Sequence, residues 1–321
     1  MDMTLKRSVA VLVTACTLAA ISASVVRAQQ PASVELVVLP QFQDIVGRVS
    51  VDSVLATLRK LESLGVKAAG TDALAQTADW LESRYRSFGY SDIVRQNVDF
   101  RTHTLQNIIV TKTGAGAADR FLIISGHYDT ARGPGVNDNG SGVAVVLEAA
   151  RVLAGVDTDL SIRFIDFSGE EIGLVGSRAY VNEIVVPQAM DIALVLNIDE
   201  VGGMAGTPNT VITCERDERP PVENNPASAA STDTLAALTR AYTSLDTRIA
   251  HAWGSDYLPF ESAGYVITGF YEANESRYPH TPNDVVANLD FEYVTQVARA
   301  TVAAALHFAR ADTVRAMRRQ P

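Results

Sequence analysis

Two kinds of hydrophobic spacing alternate along most of this chain. Residues 52–64 and 72–88 place apolar side chains three and four positions apart, which predicts two amphipathic helices. Shorter apolar runs lack that spacing and predict strands buried on both faces of a sheet. The predicted strands cover residues 92–100, 105–111, 121–125, 160–167, 193–198 and 265–270.

Helices are predicted between and after these strands, at residues 141–153, from after Leu174 to Glu183, at 232–244 and at 291–311. The alternation predicts an α/β three-layer sandwich with a central mixed, mostly parallel β-sheet flanked by helices. The first two strands are expected to form an antiparallel hairpin at the sheet edge. Residues 29–50 lack periodicity and are expected to wrap the surface. Residues 216–231 are rich in proline and are expected to form a loop near the site.

The first 28 residues follow the pattern of a signal peptide. Lys6 and Arg7 precede a nearly uncharged run, and Val26-Arg27-Ala28 fits a cleavage site before Gln29. One alternative is a membrane-anchoring helix, for which the run is near the lower length limit. Another is a lipoprotein anchored at Cys16, against which the continued hydrophobicity after Cys16 argues. We therefore expect a secreted or periplasmic mature chain without a membrane span.

The domain organisation follows from these segments. We expect a signal peptide (1–28), an N-terminal extension (29–50), one catalytic domain (51–312) and a C-terminal tail (313–321). The chain has 321 residues, 47% of them hydrophobic, which suffices for one large core. Its net charge of −10 without clustered Lys and Arg argues against nucleic-acid binding. After cleavage Cys214 is the only cysteine, so no internal disulfide is expected. The oligomeric state is left open.

Acidic and imidazole side chains follow four of the predicted strands, where open α/β sheets place their ligands. They are His127, Asp129, Glu170, Glu171, Asp199 and His280, with Asp138 on a glycine-rich loop before a helix. Taken singly, each has an ordinary structural interpretation, such as an N-cap for Asp138 or a solvated helix start for the two glutamates. Together they predict a metal site, and nitrogen and oxygen ligands without thiolates suit zinc.

Counting one of the two adjacent glutamates and leaving out Asp129, five candidate ligands remain. They exceed the three that one catalytic zinc needs, so two ions sharing a carboxylate fit better. The adjacent Glu170 and Glu171 can divide the work in a turn, one binding metal and the other serving as general base. Asp129 is expected to accept the second ring N–H of His127 and so fix its tautomer.

Five motifs in order resemble the co-catalytic zinc exopeptidases of metallopeptidase family 28, which include bacterial leucyl aminopeptidases and the aminopeptidase Y type. The motifs are GHYDT, GVNDNGSG, DFSGEEIGLVGS, NIDEVG and YPHTPND, within a match over about residues 55–309. The resemblance implies the phosphorylase/hydrolase-like sandwich of that family, two zinc ions, and peptide substrates with a free N-terminus.

The resemblance also implies individual roles. His127 and Asp199 would hold one zinc, Glu171 and His280 the other, and Asp138 would bridge them. Glu170 would be the general base and acid, and Asp129 would orient His127. A cis peptide is implied between Asp138 and Asn139.

One position departs from the family pattern: Tyr257 stands where a histidine is common. Asp256 before it is as compatible with helix capping as with a role at the site, and Tyr271 or Tyr278 could donate to an oxyanion or simply pack.

Three other functions are weighed. A dipeptidase or carboxypeptidase of the related two-zinc class carries an inserted dimerisation domain, which the roughly eighty residues between Asp199 and His280 cannot hold. A single-zinc glutaminyl cyclase on the same fold lacks some of the five ligands present here. A non-catalytic binding module would not need them.

Overall fold

All eight strands of the chain's described part belong to one sheet. The structure, a computed structural model, describes residues 38–311. The sheet order is β1-β2-β4-β3-β5-β8-β6-β7. The strands are β1 (Ile93–Phe100), β2 (His103–Lys112), β3 (Arg120–His127), β4 (Ser161–Phe167), β5 (Asp191–Ile198), β6 (Val211–Arg216), β7 (Asp246–His251) and β8 (Ile267–Glu272).

The centre of this sheet is parallel and its margins are mixed. Neighbouring strands pair in parallel across β4, β3, β5 and β8. Strands β1 and β2 form the expected antiparallel hairpin, with β1 at the edge and β2 antiparallel to β4. At the other side β6 runs antiparallel to β8 and parallel to β7. The predicted mixed, mostly parallel α/β sheet is confirmed.

The helices cover both faces of the sheet. They are α1 (Pro40–Val46), α2 (Val51–Leu64), α3 (Asp72–Ser87), α4 (Gly140–Leu153), α5 (Val175–Tyr180), α6 (Asn225–Tyr242), α7 (Leu258–Ser262) and α8 (Phe291–Phe308). A π-helical turn, Val181–Val185, continues α5, and a 3-10 turn, Val286–Asn288, precedes α8.

Alternating side chains of the central strands enter two separate cores, as the two-residue period of a strand requires. Leu122 and Ile124 of β3 lie in the larger core, which helices α1–α4, α6 and α8 cover. Ile123, between them, lies in the smaller core with Tyr180 of α5 and Phe260 of α7. Helix, sheet and helix therefore form the three expected layers.

Two predicted features need correction, and three elements were not predicted. Residues 29–50 were expected to lack regular structure, but α1 forms within them because Pro40 fits the first turn of a helix. The expected loop 216–231 ends early, since α6 begins at Asn225 with Pro226 in its first turn. The strands β6 and β7 and the short helix α7 were not predicted.

Other expectations concern segments outside the structure. The predicted signal peptide and the tail 313–321 lie outside the described residues, and the domain boundaries stay predictions. No helix within residues 38–311 has both the length and the apolarity needed to cross a membrane. Among the described residues, Cys214 is a buried free thiol.

Candidate metal centre

The sheet brings the candidate residues together at the carboxyl ends of its parallel strands. Strands β4, β3, β5 and β8 are adjacent and parallel, so their carboxyl ends lie side by side. His127 is the last residue of β3, Asp199 directly follows β5, and Glu170 and Glu171 lie in the turn after β4. His280 lies in the loop after β8. The topology thus gathers residues that are up to 153 positions apart in the sequence (127 to 280).

Asp138 lies at the same end of the sheet, on the loop between β3 and α4. The next residue, Asn139, caps α4 by accepting the backbone N–H of Gly142, and its amide donates to the Ile198 carbonyl at the end of β5. The peptide bond between Asp138 and Asn139 is cis, as the resemblance implies. The loop also passes close to the His280 loop: a Cβ on Gly133 would lie 2.0 Å from the Thr281 carbonyl oxygen. Glycine at position 133 is what allows this approach.

Two groups of ligand atoms converge in this pocket and share Asp138. The first, the His127 set, comprises His127, Asp138 and Asp199; the second, the His280 set, comprises Asp138, Glu171 and His280. In the His127 set, the Nε2 atom of His127 lies 3.3 Å from Asp138 Oδ1 and 3.4 Å from Asp199 Oδ1. In the His280 set, the Nε2 atom of His280 lies 3.0 Å from Asp138 Oδ2 and 2.8 Å from Glu171 Oε2.

The spacings of the His127 set fit cation coordination. Tetrahedral ligands at zinc's usual 2.0–2.1 Å are roughly 3.3 Å from one another, close to the spacings of the His127 set. Asp199 Oδ1 is buried and has no hydrogen-bond partner among the described residues, which is costly without a cation. The two oxygens of Asp138 face different histidines, as a bridging carboxylate must.

Glu170 and Glu171 face different sides of the pocket. The Oε2 atom of Glu170 lies 4.0 Å from His127 Nε2, whereas Glu171 contacts His280 and accepts the Ala131 backbone N–H. The carboxylate of Asp129 accepts the backbone N–H groups of both glutamates, at 3.2 and 3.3 Å. It therefore fixes the turn that separates the two side chains.

Asp129 also lies beside His127, with two oxygens near the ring. The Nδ1 atom of His127 is 3.2 Å from the Asp129 carbonyl oxygen and 3.6 Å from its carboxylate Oδ1. The nearer acceptor is thus the backbone carbonyl rather than the carboxylate named from the sequence. Either oxygen leaves Nε2 as the ring atom that faces the pocket.

The electrostatics of the pocket favour a positively charged guest. Burial, together with nearby carboxylates, raises the pKa of Glu170 to about 9 and that of Glu171 to about 7. Burial also opposes ionisation of Asp138, but hydrogen bonds with His127 and His280 outweigh it and lower the pKa of that carboxyl. The hydrogen bond with Asp138 raises the pKa of His280 to about 9.

Sequence reasoning missed one residue that supports the site. Asp284 accepts the backbone N–H of Asn137 with one oxygen, at 2.6 Å, and that of Asp138 with the other, at 3.0 Å. It is buried, and it follows His280 by four residues in the same loop. Its position inside the YPHTPND motif was the available signal.

Polar side chains also support the side of the pocket at which Asp199 lies. The Ser255 hydroxyl donates to Asp199 Oδ2 at 2.5 Å and accepts from the Asn197 amide at 2.8 Å. Asp256 is fully buried, and neither of its carboxylate oxygens has a hydrogen-bond partner in the described chain. Burial raises the pKa of Asp256 to about 7. This environment does not match an exposed helix cap.

The three tyrosines singled out from the sequence occupy different places. Tyr257 is buried and donates to Glu215 at 2.9 Å, so it belongs to the wall behind Asp199. The Tyr271 hydroxyl lies 3.5 Å from Glu200 Oε2. Tyr278 is half-buried, and its hydroxyl accepts from Arg277 at 3.2 Å. Only Tyr257 and Tyr271 line the cavity beside the metal pocket.

The fold and the site together are typical of one class of protein, the metallohydrolases. The fold is an α/β sandwich, and its parallel strands end in two histidine–carboxylate sets with a shared aspartate. The family comes from comparison with known proteins. Residues 107–305 match the model of peptidase family M28. The chain belongs to this family and is therefore a peptidase, which confirms the resemblance and the enzyme class expected from the sequence.

Two relatives illustrate the likeness. A "probable zinc metalloprotease" of Pyrenophora tritici-repentis is 26% identical, over 80% of this chain and 74% of that protein. Aminopeptidase YwaD of Bacillus subtilis is 32% identical, over 64% of this chain but 45% of its own length. The match to YwaD therefore covers less than half of that protein.

Solved structures share the fold. The LapA aminopeptidase of Legionella pneumophila superimposes with a TM-score of 0.73 at 22% identity, over 84% of this chain and 74% of that one. BSAP, a zinc aminopeptidase from Bacillus subtilis, gives 0.70 at 20% identity, over 81% and 95%. At such identities the likeness concerns the fold alone.

Proposed function

We propose that this peptidase is a secreted zinc aminopeptidase that removes the first residue from peptides with a free N-terminus. The proposal includes two zinc ions, one held by the His127 set and one by the His280 set, with Asp138 shared. The observation that carries it is that the two carboxylate oxygens of Asp138 face the two histidines at 3.3 and 3.0 Å. The names of relatives that carry the words zinc and aminopeptidase support the same proposal.

In this proposal the two sets would hold zinc, which when bound would supply a Lewis acid for the scissile carbonyl and for the attacking water. Glu170 is the general base: it takes a proton from the water and passes it to the leaving amine. Its carboxylate lies beside the His127 set and is not needed as a ligand, since Glu171 already contacts His280. Positive charge in the pocket would counteract the burial and the nearby carboxylates that raise the pKa of Glu170, and so favour its basic form.

Asp129 supports both functions in this proposal. It holds His127 with Nε2 facing the pocket, and its carboxylate fixes the turn that directs Glu170 and Glu171 apart.

Secretion is proposed from residues 1–28, and the mature chain would then begin at Gln29. N-terminal sequencing of protein recovered outside the cytoplasm tests that cleavage.

The test of the activity is a screen of amino-acyl amides with the purified chain, with and without a chelator. We expect cleavage of substrates with a free α-amine, loss of cleavage in chelator, and recovery on adding Zn²⁺. Metal analysis should give two zinc ions per chain. Cleavage of substrates blocked at the amine but free at the carboxylate would instead indicate a carboxypeptidase. Cyclisation of N-terminal glutamine would indicate a glutaminyl cyclase.

A further inference from the structure

A cavity of about 340 Å³ lies directly beside the His127 set. It contacts Asp199, so a substrate bound in the metal pocket would extend part of itself into it. The walls are acidic and aromatic: three glutamates, Glu200, Glu215 and Glu275, line it together with Trp253, Tyr257 and Tyr271. None of its described lining residues is Lys, Arg or His.

The three glutamates lie at different depths. Glu215 is 4% exposed and lies at the buried end, where Tyr257 donates to it. Glu200 is half-buried, with Tyr271 at 3.5 Å, and Glu275 is exposed at the mouth. Carboxyl groups therefore line the cavity from its mouth to its buried end.

A further feature points to a guest in this cavity. Trp253 at its rim is 78% exposed, which is unusual for the largest aromatic side chain. Asp199 connects the cavity to the metal pocket, because it lines the cavity while its Oδ1 atom lies 3.4 Å from His127 Nε2. An aromatic face beside carboxylates is the surface on which ammonium and guanidinium groups bind.

We propose that this cavity binds the cationic side chain of a lysine or arginine at the substrate's N-terminus. The inference rests on the aminopeptidase function proposed above and specifies its substrate class. The methylene stem of such a side chain would pack against Trp253 and Tyr271, and its charged head would reach Glu200 and Glu215.

The same walls disfavour substrates whose N-terminal residue has an apolar side chain. A leucine side chain would displace water from the glutamates without offering them a hydrogen bond, and unpaired buried carboxylates are costly. The glutamates would therefore act in both directions, by attracting a cation and by rejecting an apolar competitor.

The experiment compares lysyl and norleucyl amides, which share the α-ammonium and the four-carbon stem but differ in the terminal charge. Arginyl and citrullinyl amides form a second pair. We expect kcat/KM for the charged member to exceed that of the neutral one by about tenfold or more, the effect of one good charge-assisted contact.

Three variants of lining residues and one control variant test the assignment. Glu200→Gln and Glu275→Gln should each reduce the lysine-to-norleucine ratio, with the larger loss, about tenfold, at the more buried Glu200. Glu223→Gln removes an exposed carboxylate that does not line the cavity and should leave the ratio unchanged. The Trp253→Ala variant should raise KM for both charged substrates.

The outcomes separate the two proposals. Efficient cleavage of norleucyl and leucyl amides without preference for lysine overturns the cavity assignment and leaves the aminopeptidase intact. An equal loss on lysyl and norleucyl substrates in Glu200→Gln also overturns it, because Glu200 would then recognise the shared α-ammonium. No cleavage of any amino-acyl amide by the zinc-loaded chain overturns both.

Discussion

Glu170 and Glu171 are neighbours with the same chemistry, yet the pocket gives their carboxylates different surroundings. Glu171 contacts His280 at 2.8 Å and is fixed by the Ala131 N–H. Glu170 has no such contact with a histidine and lies 4.0 Å from His127 Nε2. The difference arises because Asp129 accepts both backbone N–H groups and holds the turn in one conformation. At the residue scale, the division of labour is therefore a property of backbone geometry.

The two glutamates form a matched pair of variants. Glu170→Ala should keep both metal ions and lose about 100-fold or more in kcat, the usual range for a missing general base. Glu171→Ala should lose zinc from the His280 set and hold about one ion per chain. Metal content and kcat at saturating substrate, measured on both variants, check this. Near-normal kcat in Glu170→Ala, or two retained zinc ions in Glu171→Ala, would contradict the assignment.

The loop after β8 contributes to the His280 set in two ways. It supplies His280 and, four residues later, Asp284, whose carboxylate accepts the backbone N–H groups of Asn137 and Asp138. The tight approach of Gly133 to Thr281 joins the same two loops. A ligand from one loop is thus held in register with the bridging aspartate of the other. At the scale of elements, the shared carboxylate is positioned by a contact between loops.

Asp284→Asn tests this support. An asparagine offers one accepting oxygen, and its amide would face a backbone N–H, so Asp138 should be held less firmly. We expect zinc affinity to fall by about 10- to 100-fold, as for other residues that orient metal ligands. Competition with graded chelator, followed by metal analysis, measures the affinity.

Asp159→Asn is the control for that variant. Asp159 is also buried and accepts a backbone N–H, from Ala117. It lies at the amino end of β4, however, at the end of the sheet opposite the metal pocket. Equal zinc affinity in both variants would show that Asp284 does not position Asp138.

The central strands and the metal residues were predictable from the sequence because both follow simple rules. Strand β3 contains the apolar run 121–124, and ligands follow the ends of parallel strands. The elements around β6 and β7 were missed for equally physical reasons. Strand β7 lies at the sheet edge and has few buried positions, so its sequence lacks a hydrophobic signal. Pro226 looked like a loop residue but begins α6.

Contacts that depend on tertiary structure were not predictable at all. Asp284 binds backbone groups some 146 positions away, and no local pattern encodes that pairing. The convergence of Glu200, Glu215 and Glu275 on one cavity likewise depends on how β5, β6 and the loop after β8 meet. Sequence patterns therefore predict which strands form and where ligands lie, but not how one loop supports another.

Taken as a whole, the molecule buries several acidic groups, and Asp166 is one of those that lie outside the metal pocket. Asp166 of β4 is fully buried between sheet and helix, where the hydroxyl of Tyr85 from α3 donates to it at 2.8 Å. Burial raises the pKa of Asp166 to about 7, an effect that this hydrogen bond only partly offsets. The native state therefore keeps Asp166 protonated over a range in which the unfolded chain has ionised it.

This difference predicts how stability depends on pH. The usual carboxyl pKa is about 4, so the contribution of Asp166 is fully present below that pH and is lost as pH rises towards 7. The Asp166→Asn variant keeps the acceptor for Tyr85 but cannot ionise. Relative to this variant, the wild type should become less stable by about 1.4 kcal/mol per pH unit between pH 5 and 7, then level off. Urea unfolding of both proteins, at equal zinc content and at pH 5, 6, 7 and 8, gives the difference at each pH. Subtracting the variant cancels the titration of the metal pocket, which both proteins share. A difference that stays constant across these four pH values would mean that Asp166 is already ionised in the native protein, with its buried charge stabilised by contacts other than the one from Tyr85.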